Sequence, residues 1–239
     1  MQRIAIATSQ LKGKQILLTS EQYHYLSRVL RLQSGDRFIA MDGLGTWWLA
    51  VLEEAQNAQI VERLEVKTEL PISITLIAAL PKGNGFDEVV RCCTELGVTS
   101  IVPVISDRTL LHPSPQKLER WRRIAGEAAE QSERAIVPTI SEPVTFAQGI
   151  SSITATYRYL CVARGSNMHL KTAISSIPPT SEIVLAIGPE GGWTTAEIAK
   201  ATSVSFQTVS LGKRVLRAVT APIVALSIIA AAFEHHPQE

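Results

Sequence analysis

The sequence predicts a mixed α/β protein with a small β-rich unit followed by a larger α/β domain whose sheet is mostly parallel. Over residues 1–70, short apolar runs are separated by turn signals, a pattern typical of strands. After Pro71, strand-like runs alternate with helical patterns, as they do in parallel sheets. Two of the later strand-like runs end in glycine-containing loops. We therefore predict one domain at residues 1–70 and a second at residues 71–239.

The first unit is predicted to contain one helix, Glu21–Leu30, with Ser20 as its N-cap. Its strands are predicted from four apolar runs, at residues 16–18, 38–40, 47–51 and 60–61. Charge is segregated within the unit, because residues 1–40 carry six basic and two acidic side chains and residues 41–70 carry two and six. This pattern fits a basic face that meets phosphates, and it fits an ordinary solvated face equally well.

In the second domain, strands and helices are predicted in alternation. The predicted strands are residues 72–80, 100–105, 157–163, 183–187 and 206–211. The predicted helices are residues 86–96, 117–134 and an apolar segment from Pro222 to Phe233. Gly97 is a favoured residue just beyond a helix end, and the spacing of Thr194 and Glu197 is that of a capping box.

Composition limits the classes of function that are open. A chain of 239 residues with 46% hydrophobic content and a formal net charge of +1 can build a real core and is not a general polyanion binder. Cys92, Cys93 and Cys161 are odd in number and suggest neither a disulfide framework nor a metal site. No signal peptide is evident, and the apolar run from Ala218 to Phe233 is short for a membrane span. We expect a cytoplasmic protein with no metal and no membrane partner.

The two glycine-containing loops are the strongest indication of a binding site. The first is Gly188-Pro189-Glu190-Gly191-Gly192, and the second runs from Gly212 to Arg217. Ligands of open α/β sheets bind beyond the carboxyl ends of the strands, and glycine lets the backbone approach them. Neither loop is a GxxxxGK[ST] or a GxGxxG motif. A nucleoside-like ligand held by backbone groups fits better than a triphosphate or a dinucleotide, although both loops could be ordinary turns.

Several segments in order resemble one family along almost the whole chain. IGPEGGW at residues 187–193 and LGKRVLRAVTA at residues 211–221 resemble the paired carboxyl-terminal motifs of RsmE-type ribosomal RNA methyltransferases, which belong to the SPOUT superfamily. HYLSRVLR at residues 24–31 looks like the family's amino-terminal signature. TELGV at residues 94–98 and the segment 121–140 are similar to its central ones.

The resemblance implies a PUA-like β-barrel for RNA contact and a SPOUT domain with a trefoil knot. It further implies a homodimer that uses S-adenosyl-L-methionine to methylate N3 of a uridine in 16S ribosomal RNA of the small subunit. RNA contacts are predicted at Arg3, Arg28, Arg31 and Lys82. Cofactor contacts are predicted at Leu185, Gly188, Glu190, Gly191, Gly192, Leu211, Gly212 and Leu216.

Methyl transfer to N3 would benefit from a positive group that stabilises the uracil anion. The catalytic candidates are Arg217, which could also clamp a phosphate or form a structural ion pair, and Arg134, which could simply pair with Glu130. The family usually has an acidic residue where this chain has Val219, and Thr220 is expected to cap the last helix instead.

Two other functions remain open from the sequence. One is a SPOUT methyltransferase that acts on another RNA site, such as a ribose hydroxyl of tRNA. The other is a catalytically idle RNA-binding ribosome-assembly factor, which only Val219 favours.

Overall fold

The computed structural model describes residues 1–109 and 113–234, and the chain divides into two compact units. The first unit is Met1–Glu69 together with Ala129–Val137, and the second is Leu70–Ala128 together with Pro138–Glu239. The segment Ala129–Val137 therefore belongs to the first unit, although it lies far along the chain within the predicted second domain.

The first unit is an open six-stranded sheet, a half-barrel, in the order β1-β4-β5-β6-β3-β2. Its strands are β1 Arg3–Ala5, β2 Leu11–Lys12, β3 Gln15–Leu17, β4 Arg37–Met41, β5 Trp47–Leu52 and β6 Asn57–Leu64. β1 runs parallel to β4, and the other pairs are antiparallel. The core of the unit includes Ile16, Leu26 and Phe38, all fully buried.

The helix of this unit begins one residue earlier than its predicted cap implies. After a 3-10 turn at Thr8–Gln10, helix α1 spans Ser20–His24 and continues as a π-helix over Tyr25–Val29. Thr19, not Ser20, is the N-cap, because the Thr19 side chain accepts from the backbone N–H of Gln22. Both residue types can cap, so the sequence could not separate the two neighbours.

A buried ion pair holds the segment Ala129–Val137 within the first unit. The Arg134 guanidinium donates to the Glu69 carboxylate at 2.6 Å, and Arg134 is only 3% exposed. The same carboxylate accepts from the backbone N–H groups of Ala135 and Ile136, at 2.9 and 3.1 Å. Ala135 is buried beside Trp47, in a small apolar cluster of this unit.

The second unit is built on a parallel sheet in the order β10-β8-β7-β13-β11-β14-β12, with β9 paired to β8. Its strands are β7 Ser73–Ala79, β8 Ser100–Ile105, β9 Thr139–Ile140, β10 Val144–Thr145, β11 Tyr157–Cys161, β12 Met168–His169, β13 Glu182–Ile187 and β14 Gln207–Ser210. Every pairing in it is parallel, which confirms the predicted α/β class.

Among the described residues, six helices accompany these strands. They are α2 Gly85–Glu95, α3 Pro115–Gln131, α4 Phe146–Ser151, α5 Leu170–Ala173, α6 Thr195–Ser203 and α7 Thr220–Phe233. Only the last three residues of α3 fall in the first unit. Across the described residues, no helix combines the length and apolar character that crossing a membrane requires. The trefoil knot stays a prediction of the resemblance.

The strand order determines where the glycine-containing loops lie. β13 is central, with β7 on one side and β11 and then β14 on the other. Because all these strands are parallel, their carboxyl ends meet at one edge of the sheet. The loops after β8, β11, β13 and β14 are therefore gathered at that edge.

Candidate active site

A cavity of about 610 Å³ opens at this edge, and the described residues that line it all belong to the second unit. The loop after β13 contributes residues 187–193, and the loop after β14 contributes Leu211, Gly212, Arg214, Val215 and Leu216. Most of the remaining wall is formed by residues 161–165, which begin at the last residue of β11, and by Arg108 after β8. Its volume suits a ligand of nucleoside size.

The loop after β13 is shaped by glycine and by a buried tryptophan. Gly192 has a φ of 67°, and its N–H closes a tight turn onto the Pro189 carbonyl at 2.8 Å. A Cβ on Gly188 would lie 3.2 Å from the Trp193 ring, which in turn packs on Phe146 with ring centroids 4.3 Å apart. The Trp193 Nε1 is buried and has no hydrogen-bond partner among the described residues.

A buried carboxylate joins this loop to the loop after β8. The predicted capping box is confirmed, because Thr194 caps α6 and the Glu197 carboxylate accepts from the Thr194 N–H at 2.7 Å. The other oxygen of Glu197 accepts from the backbone N–H of Asp107 at 3.0 Å. Glu197 is only 5% exposed, so these contacts fix the start of α6 against the neighbouring loop.

Two further contacts join the glycine-rich loop to the loops after β7 and β8. The Glu190 carboxylate accepts from the backbone N–H of Lys82 at 3.0 Å, which ties the loop to the one after β7. The Arg108 guanidinium donates to the Gly191 carbonyl. A Cβ on Gly191 would lie 3.0 Å from the Arg108 side chain, so glycine permits this close crossing.

The loop after β14 uses glycine for its backbone conformation. Gly212 has a φ of 119°, and its N–H donates to the Ser210 hydroxyl at 3.1 Å. At the start of α7, the Arg217 carbonyl accepts from the N–H groups of Thr220 and Ala221. The expectation that Thr220 caps this helix is wrong, because α7 begins at Thr220 and Val219 occupies the cap position without a side-chain hydrogen bond.

Val219 has a packing role at the position where the resemblance described above implies an acidic residue. A Cβ on Gly85, the first residue of α2, would lie 2.7 Å from the Val219 side chain. The valine methyl therefore occupies the space beside a glycine, and the Arg217 carbonyl accepts from the first two N–H groups of α7.

The structure brings together seven of the eight predicted cofactor residues. Those that line the cavity are Gly188, Glu190, Gly191, Gly192, Leu211, Gly212 and Leu216. Leu185 does not line it, because it is fully buried two residues before the end of β13, and Ile187 at the strand end lines the cavity instead.

The two predicted catalytic arginines lie in different units. Arg217 is exposed and does not itself line the cavity, although its neighbours Leu216 and Ala218 do. Arg134 belongs to the first unit, where it is paired with Glu69.

The predicted RNA-contact residues also differ in their surroundings. Arg28 and Arg31 are exposed in the first unit, and Lys82 is exposed in the second. Arg3 is engaged within the first unit, since it donates to Glu133 at 2.8 Å and lies over the Trp47 ring, 5.3 Å from its centroid.

Sequence reasoning missed several residues of the cavity wall, namely Arg108, Cys161, Arg164, Trp193 and Arg214. The signal that could have found the arginines is position, because each lies in a loop that follows a parallel strand.

The cysteines and the acidic residues bear on two kinds of chemistry, nucleophilic catalysis by a thiol and binding of a metal ion. Burial raises the pKa of the Cys161 thiol, and burial likewise raises the pKa values of Cys92 and Cys93. These thiols are therefore neutral at physiological pH and are poor nucleophiles. Within the described residues, no group of His, Cys, Asp and Glu side chains could hold a metal ion.

Two family models match different parts of the chain. The family model described as RNA methyltransferase domain matches residues 68–230, and the one described as RNA methyltransferase PUA domain matches residues 18–62. The fold and the site thus define an RNA methyltransferase with a PUA domain.

Individual relatives narrow the class of RNA methyltransferase to one family. The chain is 49% identical to ribosomal RNA small subunit methyltransferase E of Synechocystis over 97% of this chain and 78% of the relative. It is 32% identical to the Bacillus subtilis enzyme of the same name, over 89% of this chain and 88% of the relative. The chain belongs to the ribosomal RNA small subunit methyltransferase E family.

Solved structures show the same architecture. The Neisseria gonorrhoeae ribosomal RNA small subunit methyltransferase E bound to S-adenosyl methionine aligns with a TM-score of 0.86 and 29% identity, covering 98% of each chain. A putative methyltransferase of Legionella pneumophila in complex with the same cofactor aligns with a TM-score of 0.84 and 29% identity, over 96% of this chain and 97% of that one.

Proposed function

We propose that this protein uses S-adenosyl-L-methionine to methylate N3 of a uridine in 16S ribosomal RNA of the small subunit. The observation that carries the proposal is the glycine-lined cavity at the edge of the parallel sheet, together with a cofactor-bound relative of the same family and architecture. The PUA family match at residues 18–62 supports an RNA substrate.

The residues of the cavity fit this cofactor. Gly191, Gly192 and Gly212 expose backbone groups, and Ile187, Leu211 and Leu216 provide an apolar wall for an adenine ring. The unpaired Trp193 Nε1 offers a donor, and buried donors of this kind are normally satisfied by a partner. When bound, the cofactor supplies an activated methyl group on a sulfonium, and the protein supplies placement and electrostatics.

The state of the cysteines disfavours a uracil carbon as the methyl acceptor. Methylation of a uracil carbon requires a nucleophile that first adds to the ring, and a thiolate would be the obvious candidate. Cys161 is the cysteine that lines the cavity, and burial raises the pKa of its thiol, which disfavours the thiolate. Direct attack by the ring nitrogen on the methyl group needs no such residue.

Arg217 is our candidate for stabilising the uracil anion that forms as N3 loses its proton. It lies next to the cavity in the chain, between the lining residues Leu216 and Ala218. Arg134 has no part in this mechanism, because its buried guanidinium is committed to Glu69 in the first unit.

Replacing Arg217 with alanine is expected to lower kcat by about 100-fold, the effect of removing one oxyanion-type donor. The dissociation constant of S-adenosyl-L-methionine, measured by calorimetry, should stay within about twofold, since the Arg217 side chain does not line the cavity. A kcat within a few-fold of the wild type would exclude Arg217 from catalysis.

We further propose a cytoplasmic homodimer. The site of action, 16S ribosomal RNA, accounts for the compartment. The apolar helix α7 keeps Ile223, Val224 and Ile228 only partly buried in a single chain, which favours their burial against a second copy. Sedimentation at the mass of one chain would contradict the dimer.

The direct test of the proposed function uses purified protein, methyl-labelled S-adenosyl-L-methionine and small ribosomal subunits from a strain that lacks this activity. Digested RNA is analysed by mass for its modified nucleosides. Label in 3-methyluridine is the expected result, and label in a ribose-methylated nucleoside would overturn the target. Cofactor binding without label would favour the idle assembly factor.

A further inference from the structure

Three arginines lie around the cavity on loops that follow three different strands. Arg108 follows β8, Arg164 follows β11 and Arg214 follows β14, and all three line the cavity and are exposed. The parallel sheet brings these loops to one edge on both sides of β13. We refer to Arg108, Arg164 and Arg214 as the arginine rim.

The rim residues are not neutralised by carboxylates. No acidic group of the described residues lies within 4.0 Å of their guanidinium groups, and the side chains of Arg164 and Arg214 make no hydrogen bond there. The carboxylates of the same loops are engaged elsewhere, since Glu190 accepts from the Lys82 N–H and Asp107 accepts from the Thr194 hydroxyl.

The arginines of helices α2 and α3 in this unit differ from the arginine rim in having carboxylate partners. Each of them forms an ion pair with a carboxylate of the described residues: Arg91, Arg120, Arg122 and Arg123. The arginine rim therefore places three guanidinium groups without carboxylate partners around one cavity, where their potentials add.

The cofactor does not account for this charge. S-adenosyl-L-methionine carries a sulfonium, an ammonium and one carboxylate, so its positive charges outnumber its negative one. Three guanidinium groups without carboxylate partners around its site would raise the free energy of the bound cofactor by like-charge repulsion. A polyanionic second substrate removes this repulsion, because each guanidinium can take a phosphate in a bidentate geometry.

We propose that the arginine rim binds the backbone phosphates on either side of the target nucleotide of the RNA. Phosphate contacts position a nucleic acid without reading its sequence, and a target base must leave its stack to enter a cavity. Arg164 and Arg214 act through phosphate contact alone. Arg108 also supports the cofactor loop, because its guanidinium donates to the Gly191 carbonyl. This inference rests on the proposed RNA methylation and adds the residues that position the substrate.

The test measures binding apart from turnover. Small ribosomal subunits that lack the modification are titrated with protein in the presence of S-adenosylhomocysteine, at several salt concentrations, by filter binding. The variants are Arg164→Gln, Arg214→Gln and the pair combined. The matched control is Arg123→Gln, which removes the same charge from an exposed, carboxylate-paired arginine of the same unit.

Each rim variant should weaken RNA binding about tenfold, the scale of one charged hydrogen bond, and the pair about 100-fold. The slope of log affinity against log salt should fall in magnitude by about 0.7–0.9 for each arginine removed. The affinity for S-adenosyl-L-methionine should stay the same or rise slightly. Arg164→Lys should retain the salt slope, because it keeps the charge.

Two outcomes would overturn the inference. One is a loss of cofactor affinity in the rim variants with an unchanged RNA salt slope, which would assign these arginines to the cofactor. The other is an equal loss of RNA affinity in Arg123→Gln, which would show only a general charge effect. If the wild type binds the subunits with the expected slope but transfers no methyl group, the proposed function fails while the rim assignment stands.

Discussion

Replacement of Arg134 by alanine is expected to lower the free energy of unfolding by roughly 3 kcal/mol, the scale for breaking a buried ion pair. The Arg134 side chain is 4% exposed and that of Glu69 is 23% exposed, so removal of the guanidinium leaves a largely buried carboxylate without its counter-charge. Glu69 also accepts from the backbone N–H groups of Ala135 and Ile136, and the effect therefore extends to the whole segment Ala129–Val137.

Urea denaturation followed by circular dichroism measures this loss. Arg123→Ala is the matched control, because Arg123 pairs with Glu127 across 3.8 Å where both side chains are 67% exposed. Exposed pairs of this kind contribute about 0–1 kcal/mol. A structural role for Arg134 also requires that folded Arg134→Ala retain its kcat. A variant of unchanged stability with a strongly reduced kcat would restore the catalytic role predicted from the sequence.

Local patterns were sufficient to predict the elements that position the active site. The spacing of Thr194 and Glu197 predicted the cap of α6, because a capping box depends only on residues three positions apart. Strand β8 has the bounds that the sequence predicted, Ser100 and Ile105. The glycine-rich loops were recognisable for the same reason, since a positive φ or a close crossing is a local requirement met by glycine.

Elements defined by distant partners were not predictable. Glu69 and Arg134 are 65 positions apart, so their contact, and the inclusion of Ala129–Val137 in the first unit, leaves no periodic signal. The two-residue strands β2, β9, β10 and β12 are too short to show an alternation of apolar and polar residues.

The side chains of the cavity wall were also hard to predict, because they come from distant parts of the chain. Arg108, Arg164 and Arg214 are separated by long stretches of chain and become neighbours of one cavity only through the order of the parallel strands. Leu185 was predicted to contact the cofactor from its place in a motif, but its depth in β13 is set by the neighbouring strands β7 and β11. Composition identified the loops, and only the strand order identified which side chains reach the cavity.

Replacement of Gly212 by alanine is expected to raise the dissociation constant of S-adenosyl-L-methionine by about 10- to 100-fold. The reason is the backbone, because φ at Gly212 is 119° and no atom lies within 4 Å of the position that a Cβ would take. A non-glycine residue held in such a region costs about 1–3 kcal/mol. The loop can relieve this strain only by changing its conformation. Such a change would move the backbone groups that the loop exposes to the ligand.

Calorimetric titration with the cofactor, together with urea denaturation, shows where this strain is taken up. If the loop relaxes, the cofactor affinity falls and the stability of the free protein changes little. If the loop keeps its conformation, the affinity is retained and the free energy of unfolding falls by about 1–3 kcal/mol instead. Gly126→Ala is the matched control, since Gly126 lies within α3 with an ordinary φ and open space around its Cβ position.

The control should leave cofactor affinity unchanged and raise the free energy of unfolding by about 0.5–1 kcal/mol, because alanine favours a helix interior over glycine. The two alanine variants add the same methyl group and differ only in the backbone conformation that receives it. Wild-type affinity and stability in Gly212→Ala would therefore contradict the conformational role of Gly212. A loss of affinity confined to that variant would show that the cofactor is bound by a backbone shape, which a glycine at this position is needed to form.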